Sequence, residues 1–149
     1  MPTQHVHSSQ AKTLVDEHQR LEKLVENLRR IFFAEYAAPP TVVVGLLRQL
    51  AENLRKHFLH EEQGGYFAEV VEQAPRMQGE IDRLLVQHEE FSRDLDAMCR
   101  IANSGDAAGA WWFDLAERFE EFVERFIDHE HAENGLLQEA YGRDIGAED

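Results

Sequence analysis

The chain has 149 residues, of which 43% are hydrophobic and 30% are charged, a balance typical of a globular protein and not of a disordered one. We expect one domain over residues 1–149, with its core at about 11–141, because this length can bury a core of its own. Asp and Glu outnumber Lys and Arg by 29 to 15, and the net charge of −14 would repel phosphate backbones. We therefore expect no nucleic-acid partner.

Several other classes of protein are also disfavoured. Residues 1–10 contain no apolar run, so we expect neither a signal peptide nor a membrane anchor. No stretch reaches the roughly 20 apolar residues that a membrane-spanning helix needs. Cys99 is the single cysteine, which excludes an intrachain disulfide and favours a cytoplasmic location. The sequence has no glycine-rich phosphate loop and no Cys-x-x-Cys pair.

Turn-forming residues divide the chain into four long segments. Residues 37–40, Ala-Ala-Pro-Pro, end the first segment, and Gly64-Gly65 breaks or kinks the end of the second. A short stretch, residues 66–73, leads to Pro75 and the third segment. Residues 103–106, Asn-Ser-Gly-Asp, separate the third segment from the fourth, which we expect Gly142 to close.

Each segment has a seam of residues spaced three or four apart, the period of one helix face. The seams are Leu14, His18, Leu21, Val25, Leu28 and Phe32; Val43, Leu47, Leu50, Leu54, His57 and Glu61; Ile81, Leu84, His88, Phe91, Leu95, Met98 and Ala102; and Trp112, Leu115, Phe119, Phe122, Phe126, His129, Glu133 and Leu136. Four amphipathic helices with short connections predict an all-α protein with an up-down-up-down antiparallel four-helix bundle.

Polar residues interrupt all four seams, and we predict that they are metal ligands. They are His18, His57, Glu61, His88, His129 and Glu133. At a rise of about 1.5 Å per residue, the four histidines lie roughly 23 to 29 Å from one end of the predicted bundle, so antiparallel helices bring them into one layer. Each glutamate follows a histidine by four residues and shares its helix face. Two carboxylates in an apolar layer would be costly without a cation.

Each of these residues has a blander interpretation when it is considered alone. A single seam histidine is more often a hydrogen-bonded core residue than a ligand, and a lone His-x-x-x-Glu pair is usually a surface pair. The common height of all four interruptions favours the metal site. The remaining histidines are predicted to be solvated: His60 and His131 lie off the seams, and His5 and His7 lie in a start that we expect to be unstructured.

The segments that carry these residues resemble the hemerythrin-like, His-His-Glu cation-binding domain. They are Glu17-His18, residues 57–62 (HFLHEE), residues 87–89 (QHE) and residues 129–133 (HEHAE), and the resemblance covers about residues 11–141. It implies a non-haem centre of two iron ions, with carboxylate and oxo or hydroxo bridges. Glu61 and Glu133 would then bridge the ions, with the histidines as terminal ligands. Ferritin-like sites use Glu-x-x-His motifs instead, and none occurs here.

Neighbouring residues also have predicted roles on this interpretation. Phe58, Phe91 and Phe126 would flank the layer and limit water. The acids that adjoin the ligands in the sequence are candidates to orient the imidazoles from outside; they are Glu17, Glu62, Glu89, Asp128 and Glu130.

One departure from the resemblance affects the expected function. Oxygen-carrying hemerythrins have a fifth histidine, in a His-x-x-x-His pair on the third helix, whereas the residue four beyond His88 is Ser92 here. In this respect the chain is closer to the hemerythrin-like domain of the F-box iron sensor, and one coordination position should be open.

Three functions remain possible on the sequence. The first is a protein that binds or senses dioxygen, iron or redox state, with a small diatomic ligand or peroxide as its partner. The second is an oxidoreductase that acts on peroxide, dioxygen or nitric oxide. The third is a structural bundle that uses metal for stability alone.

Overall fold

The computed structural model describes residues 2–34, 36–105 and 109–140, and within these ranges the chain is helical, without a β-strand. The helices are α1 (Pro2–Phe32), α2 (Pro40–Gln63), α3 (Tyr66–Gln73), α4 (Gln78–Asn103) and α5 (Ala110–Ala140), with a 3₁₀ turn at Pro75–Met77. The predicted all-α class is therefore confirmed. The predicted end of the last helix at Gly142 lies outside the described residues. None of the described helices is both long and apolar enough to cross a membrane.

The start of the chain differs from the prediction. The expectation that His5 and His7 lie in an unstructured segment is wrong, because α1 begins at Pro2. Proline suits a first helical turn, where its missing N–H has no helical partner to lose and its fixed φ matches the helix. The solvation of these two imidazoles stays a prediction.

The break between α2 and α3 is built from two glycines, as the sequence predicted. The Gly64 N–H donates to the carbonyl of His60 at 3.0 Å, which closes the last turn of α2. Gly65 has φ of +88°, a left-handed conformation that glycine adopts without a Cβ clash. The chain then enters α3, a fifth helix that the prediction of four did not include. Its eight residues make two turns, too few for a clear periodic pattern.

The apolar seam residues are all buried, and they form two hydrophobic clusters. The larger cluster contains the following seam residues and their neighbours: Leu21, Val25, Leu28, Phe32, Val43, Val44, Leu47, Leu50, Leu54, Phe58, Phe91, Leu95, Met98, Ala102, Trp112, Leu115, Phe119, Phe122, Val123 and Phe126. The smaller cluster contains Leu14, Tyr66, Phe67, Val70, Ile81, Leu84, Leu136 and Ala140, and so includes the buried face of α3. Along α1, α4 and α5, the polar seam residues lie between the two clusters.

Contacts between helices show the relative direction of neighbouring segments. From the end of α1 backwards, Phe32 packs on Trp112 with ring centroids 5.1 Å apart, and Arg29 Nε donates to Glu120 Oε1 at 3.0 Å. His18 then meets Glu133. Positions descend along α1 as they ascend along α5, so these two helices run in opposite directions.

Burial predicts how the core responds to truncation. Phe119 is fully buried and packs against Phe32 and Phe122, whereas Phe113 on the same helix is 76% exposed. We expect Phe119→Ala to lower the free energy of unfolding by about 3 to 5 kcal/mol, through lost burial and a residual cavity. The matched control Phe113→Ala should change it by less than about 0.5 kcal/mol. Urea denaturation measures both, and an equal loss in the two variants would contradict this packing.

Candidate metal centre

The six predicted ligands come together from four helices. His18 lies on α1, His57 and Glu61 on α2, His88 on α4, and His129 and Glu133 on α5. Five of them are buried, and the His18 side chain is 16% exposed. The i, i+4 spacing on α2 and α5 places each glutamate one turn from its histidine on the buried face. Four histidines and two carboxylates thus meet inside the protein.

These side chains form two overlapping groups, in each of which the potential ligand atoms lie within 4.8 Å of one another. The first group is His18, His57, Glu61 and Glu133; the second is Glu61, His88, His129 and Glu133. Both carboxylates belong to both groups, whereas each group has its own pair of imidazoles. This arrangement suits two cations that share two carboxylates.

The carboxylate oxygens divide between the two groups. Glu61 Oε2 lies 3.4 Å from Nε2 of His57, and its Oε1 lies 3.2 Å from Nε2 of His88. Glu133 Oε2 lies 3.0 Å from Nε2 of His18, and its Oε1 lies 2.5 Å from Nε2 of His129. Each glutamate therefore presents one oxygen to each pair of imidazoles, which is the geometry of a bridging carboxylate.

Three imidazoles are oriented from outside through Nδ1. His57 Nδ1 donates to Glu17 Oε1 at 2.9 Å, and His88 Nδ1 donates to Glu62 Oε2 at 2.8 Å. The third bond, His129 Nδ1 to Gln87 Oε1, is 2.6 Å long. Carboxylate and amide oxygens can only accept, so each Nδ1 carries the proton. In the neutral imidazole, Nε2 then has a free lone pair, as metal binding requires.

The inward-facing atoms fit a cation. Nε2 of His57, His88 and His129, both oxygens of Glu61 and Oε1 of Glu133 are buried without a hydrogen-bond partner among the described residues. Unless they are protonated, these atoms can only accept hydrogen bonds, and burying unpaired acceptors together is costly. A metal ion between them would satisfy several at once. Nitrogen and oxygen donors of this kind suit iron, manganese or zinc.

Without a metal, protons have to compensate for the two carboxylates. Burial, and then the negative charge of Glu133, raise the pKa of Glu61 well above its usual value. Burial alone would raise the pKa of Glu133 as well, but the adjacent Glu61 carboxyl group and the imidazoles of His129, His18 and His57 hold it well below its usual value. Burial opposes a charged His88, yet the adjacent carboxylates of Glu133 and Glu61 raise its pKa to about 9. The metal-free centre therefore retains protons in place of cations.

The orienting residues were partly predicted from sequence. Glu17 and Glu62 have the role expected of them, whereas Gln87 was not predicted, because its acceptor is a neutral amide oxygen and not a carboxylate. A sequence signal existed: Glu17 and Gln87 each directly precede a predicted ligand and bond the histidine of a neighbouring helix.

Of the other three acids predicted to orient imidazoles, two point to solvent, and Glu130 lies near His18 and His57. Asp128 is exposed, and Glu89 is an exposed residue 3.6 Å from Arg93. Glu130 is half-buried, and burial is the main reason why its pKa rises to about 7.

Three residues outside the ligand set can also be placed. His131 is exposed, as predicted, but the view of His60 as merely solvated needs correction. Its imidazole is 56% exposed, yet its Nδ1 donates to Glu17 Oε2 at 2.5 Å. Ser92 is exposed and borders a surface cleft between α2 and α4 that Phe58 and His88 also line.

Aromatic rings close off one side of the centre. Phe58 stacks on His88 with centroids 3.7 Å apart, and Phe91 meets His129 edge-on at 5.2 Å. Phe126 lies behind Phe91, at 5.9 Å. From α3, Phe67 lies 6.0 Å from the His88 ring, a contact that the sequence analysis did not anticipate. These rings cover much of the imidazoles on the α2 and α4 side, where the surface cleft still reaches Phe58 and His88.

The geometry agrees with a comparison to known protein families. A family model described as the hemerythrin HHE cation binding domain matches residues 9–141. No curated protein and no solved structure gives a significant match to the chain. The matched range contains both overlapping groups of histidines and glutamates. The chain therefore belongs to the hemerythrin HHE cation-binding domain family.

Proposed function

We propose that this protein holds two iron ions and binds a small ligand, such as dioxygen, through which it reports oxygen, iron or redox state. The observation that carries the proposal is the division of the carboxylate oxygens, one to each pair of imidazoles, at both Glu61 and Glu133. A single metal ion would need only one of the two groups. Two carboxylates shared in this way support a pair of ions bridged on both sides.

In this proposal each ion has two imidazole nitrogens and two carboxylate oxygens from the protein. His18 and His57 hold the first ion, His88 and His129 hold the second, and Glu61 and Glu133 bridge them. With an oxo or hydroxo bridge added, these residues would leave room on each ion for an exogenous ligand. When bound, the iron pair would supply electrons and a place for an exogenous ligand to attach. The fifth histidine of the oxygen carriers would take that place, and α4 has none one turn from His88. The residue four before His88 is the buried Leu84, and the residue four after it is the exposed Ser92.

The protein residues around the centre control what reaches it. Glu17, Glu62 and Gln87 keep three imidazoles in the tautomer that presents Nε2 inward. Phe58 and Phe67 cover His88 and limit water on that side. The partly exposed His18 makes the α1 side the more accessible one.

The open position would also suit the alternative function, an oxidoreductase acting on peroxide, dioxygen or nitric oxide. A reversible, dioxygen-dependent visible band would favour binding or sensing, whereas loss of many equivalents of peroxide per protein would favour catalysis. A loaded protein that does neither would leave the purely structural role.

We also propose a finer description of the fold. The four long helices would alternate in direction as an antiparallel up-down-up-down bundle within one domain. The opposite directions of α1 and α5 support it, as does the pairing of Gln87 with His129 and Asp94 with Arg125 between α4 and α5.

The single cysteine supports a cytoplasmic location.

The first test of the proposal is the metal content. After anaerobic reconstitution with ferrous iron and re-aeration, the protein should hold close to two iron ions per chain and show the absorption of an oxo-bridged pair. Elemental analysis and an optical spectrum measure both. Less than half an equivalent of iron, or a spectrum without that absorption, would contradict the di-iron proposal.

The second test separates the proposed bridges from a surface histidine of the same motif. Glu61→Ala and Glu133→Ala each remove a donor from both groups, so each variant should lose at least one ion. His131→Ala is the matched control, because His131 lies on the same helix as Glu133 but is exposed, and it should load fully. Equal iron content in all three variants would show that the ions bind elsewhere.

The third test uses the stability of the metal-free protein. In the folded state the pKa of His88 is about 9, above the usual value of 6.5, so folding strengthens proton binding there. That contribution to stability is complete below about pH 6.5 and is lost as the pH rises through about 9. The raised pKa of Glu130, about 7, acts in the same direction. Chelator-treated protein should therefore become less stable between pH 6.5 and 9.

Urea denaturation across this pH range measures the effect. Iron-loaded protein is the comparison, because a metal on Nε2 of His88 takes the place of the proton there and removes that contribution to the pH dependence. Metal-free protein whose stability rises across the range would contradict the buried protonated centre.

A further inference from the structure

We propose that Glu17 is a positioning residue for the first metal ion and that His60, although exposed, holds Glu17 in place. This inference rests on the proposed di-iron function and concerns the ion held by His18 and His57. It assigns a role to a surface histidine that is not itself within either group of ligands.

The contacts form a chain from the surface to the centre. The Glu17 side chain reaches from α1 to α2 and is only 13% exposed. Its Oε1 accepts from Nδ1 of His57 at 2.9 Å, and its Oε2 accepts from Nδ1 of His60 at 2.5 Å. One carboxylate thus joins two histidines that are three residues apart on α2, and both of its oxygens are engaged.

Two hydrogen bonds restrain the Glu17 carboxylate more than one hydrogen bond does. A glutamate side chain has several rotatable bonds, and a single hydrogen bond leaves it free to swing about that contact. The second bond, to His60, fixes the carboxylate plane and therefore the direction in which Oε1 meets His57. A fixed acceptor keeps the His57 proton on Nδ1 and aims the Nε2 lone pair at the centre.

Binding of the first ion depends on the Glu17 contacts more than binding of the second ion depends on any one contact. In the second group, His88 and His129 each have an Nδ1 acceptor, Glu62 and Gln87. In the first group, His57 has Glu17, whereas the hydrogen bond that the structure describes for His18 uses Nε2 and Glu133. His18 is also the most exposed of the six ligands. We therefore expect the first ion to be the more weakly held and to leave first.

The test is the release of iron from loaded protein to a ferrous chelator, with iron content before and after. Wild-type protein should release its two ions in two phases. Glu17→Ala should lower the affinity for one ion by about 10- to 100-fold, the usual effect of losing a hydrogen-bond partner of a ligand, and leave the affinity for the other ion unchanged. His60→Ala should act in the same direction with a smaller change. Glu26→Ala, an exposed glutamate on the same helix, is the control and should match wild type.

Conservative variants separate positioning from folding. Glu17→Gln keeps an acceptor for His57 and should recover part of the affinity, and His60→Asn keeps a side-chain N–H donor and should recover most of what His60→Ala loses. A purely structural role would instead change both release phases together, in proportion to the loss in melting temperature.

The outcomes distinguish this inference from the function on which it rests. Wild-type protein that never holds two ions would overturn the di-iron proposal. Wild-type protein with two ions, but with unchanged release in Glu17→Ala, would overturn the role of Glu17 alone. Release at the wild-type rate from His60→Ala, together with faster release from Glu17→Ala, would overturn the role of His60.

Discussion

Two carboxylates buried side by side in an apolar interior are the constraint on which this structure depends. Glu61 and Glu133 are almost completely inaccessible to solvent, and their negative charges cannot both persist there without compensation. In the metal-free protein the compensation comes from protons, because burial and the charge of Glu133 raise the pKa of Glu61. At His88 burial opposes the charged form, but the adjacent carboxylates raise the pKa to about 9. Two metal cations would offset the same charges and use the inward lone pairs as well.

The constraint accounts for how the helices are arranged around the centre. The polar residues divide the core into two clusters, so the layer of histidines and glutamates has apolar packing on both sides. The hydrogen bonds that orient the imidazoles all cross between helices: Glu17 from α1 to α2, Glu62 from α2 to α4, and Gln87 from α4 to α5. The same bonds therefore prepare the ligands and hold neighbouring helices in register.

Local patterns in the sequence were enough to predict the helical class, the buried seams and the convergence of six polar residues. The period of a helix places Leu47 and Phe91 on its apolar face, and that face is buried regardless of which helices pack against it. Their burial therefore follows from spacing alone. Contacts between helices were harder to foresee, because they depend on rotation and register. Gln87 and His60 are ordinary residues until α5 and α1 are in place beside them, and α3 is too short for its period to be recognised.

The most direct measurement is anomalous X-ray diffraction at the iron edge from crystals of the reconstituted protein. Our account predicts two anomalous peaks per chain, less than about 4 Å apart, as in other two-metal sites, with Glu61 and Glu133 each contacting both. One peak should lie beside His18 and His57, and the other beside His88 and His129. A single peak, or peaks away from the two glutamates, would contradict the central claim.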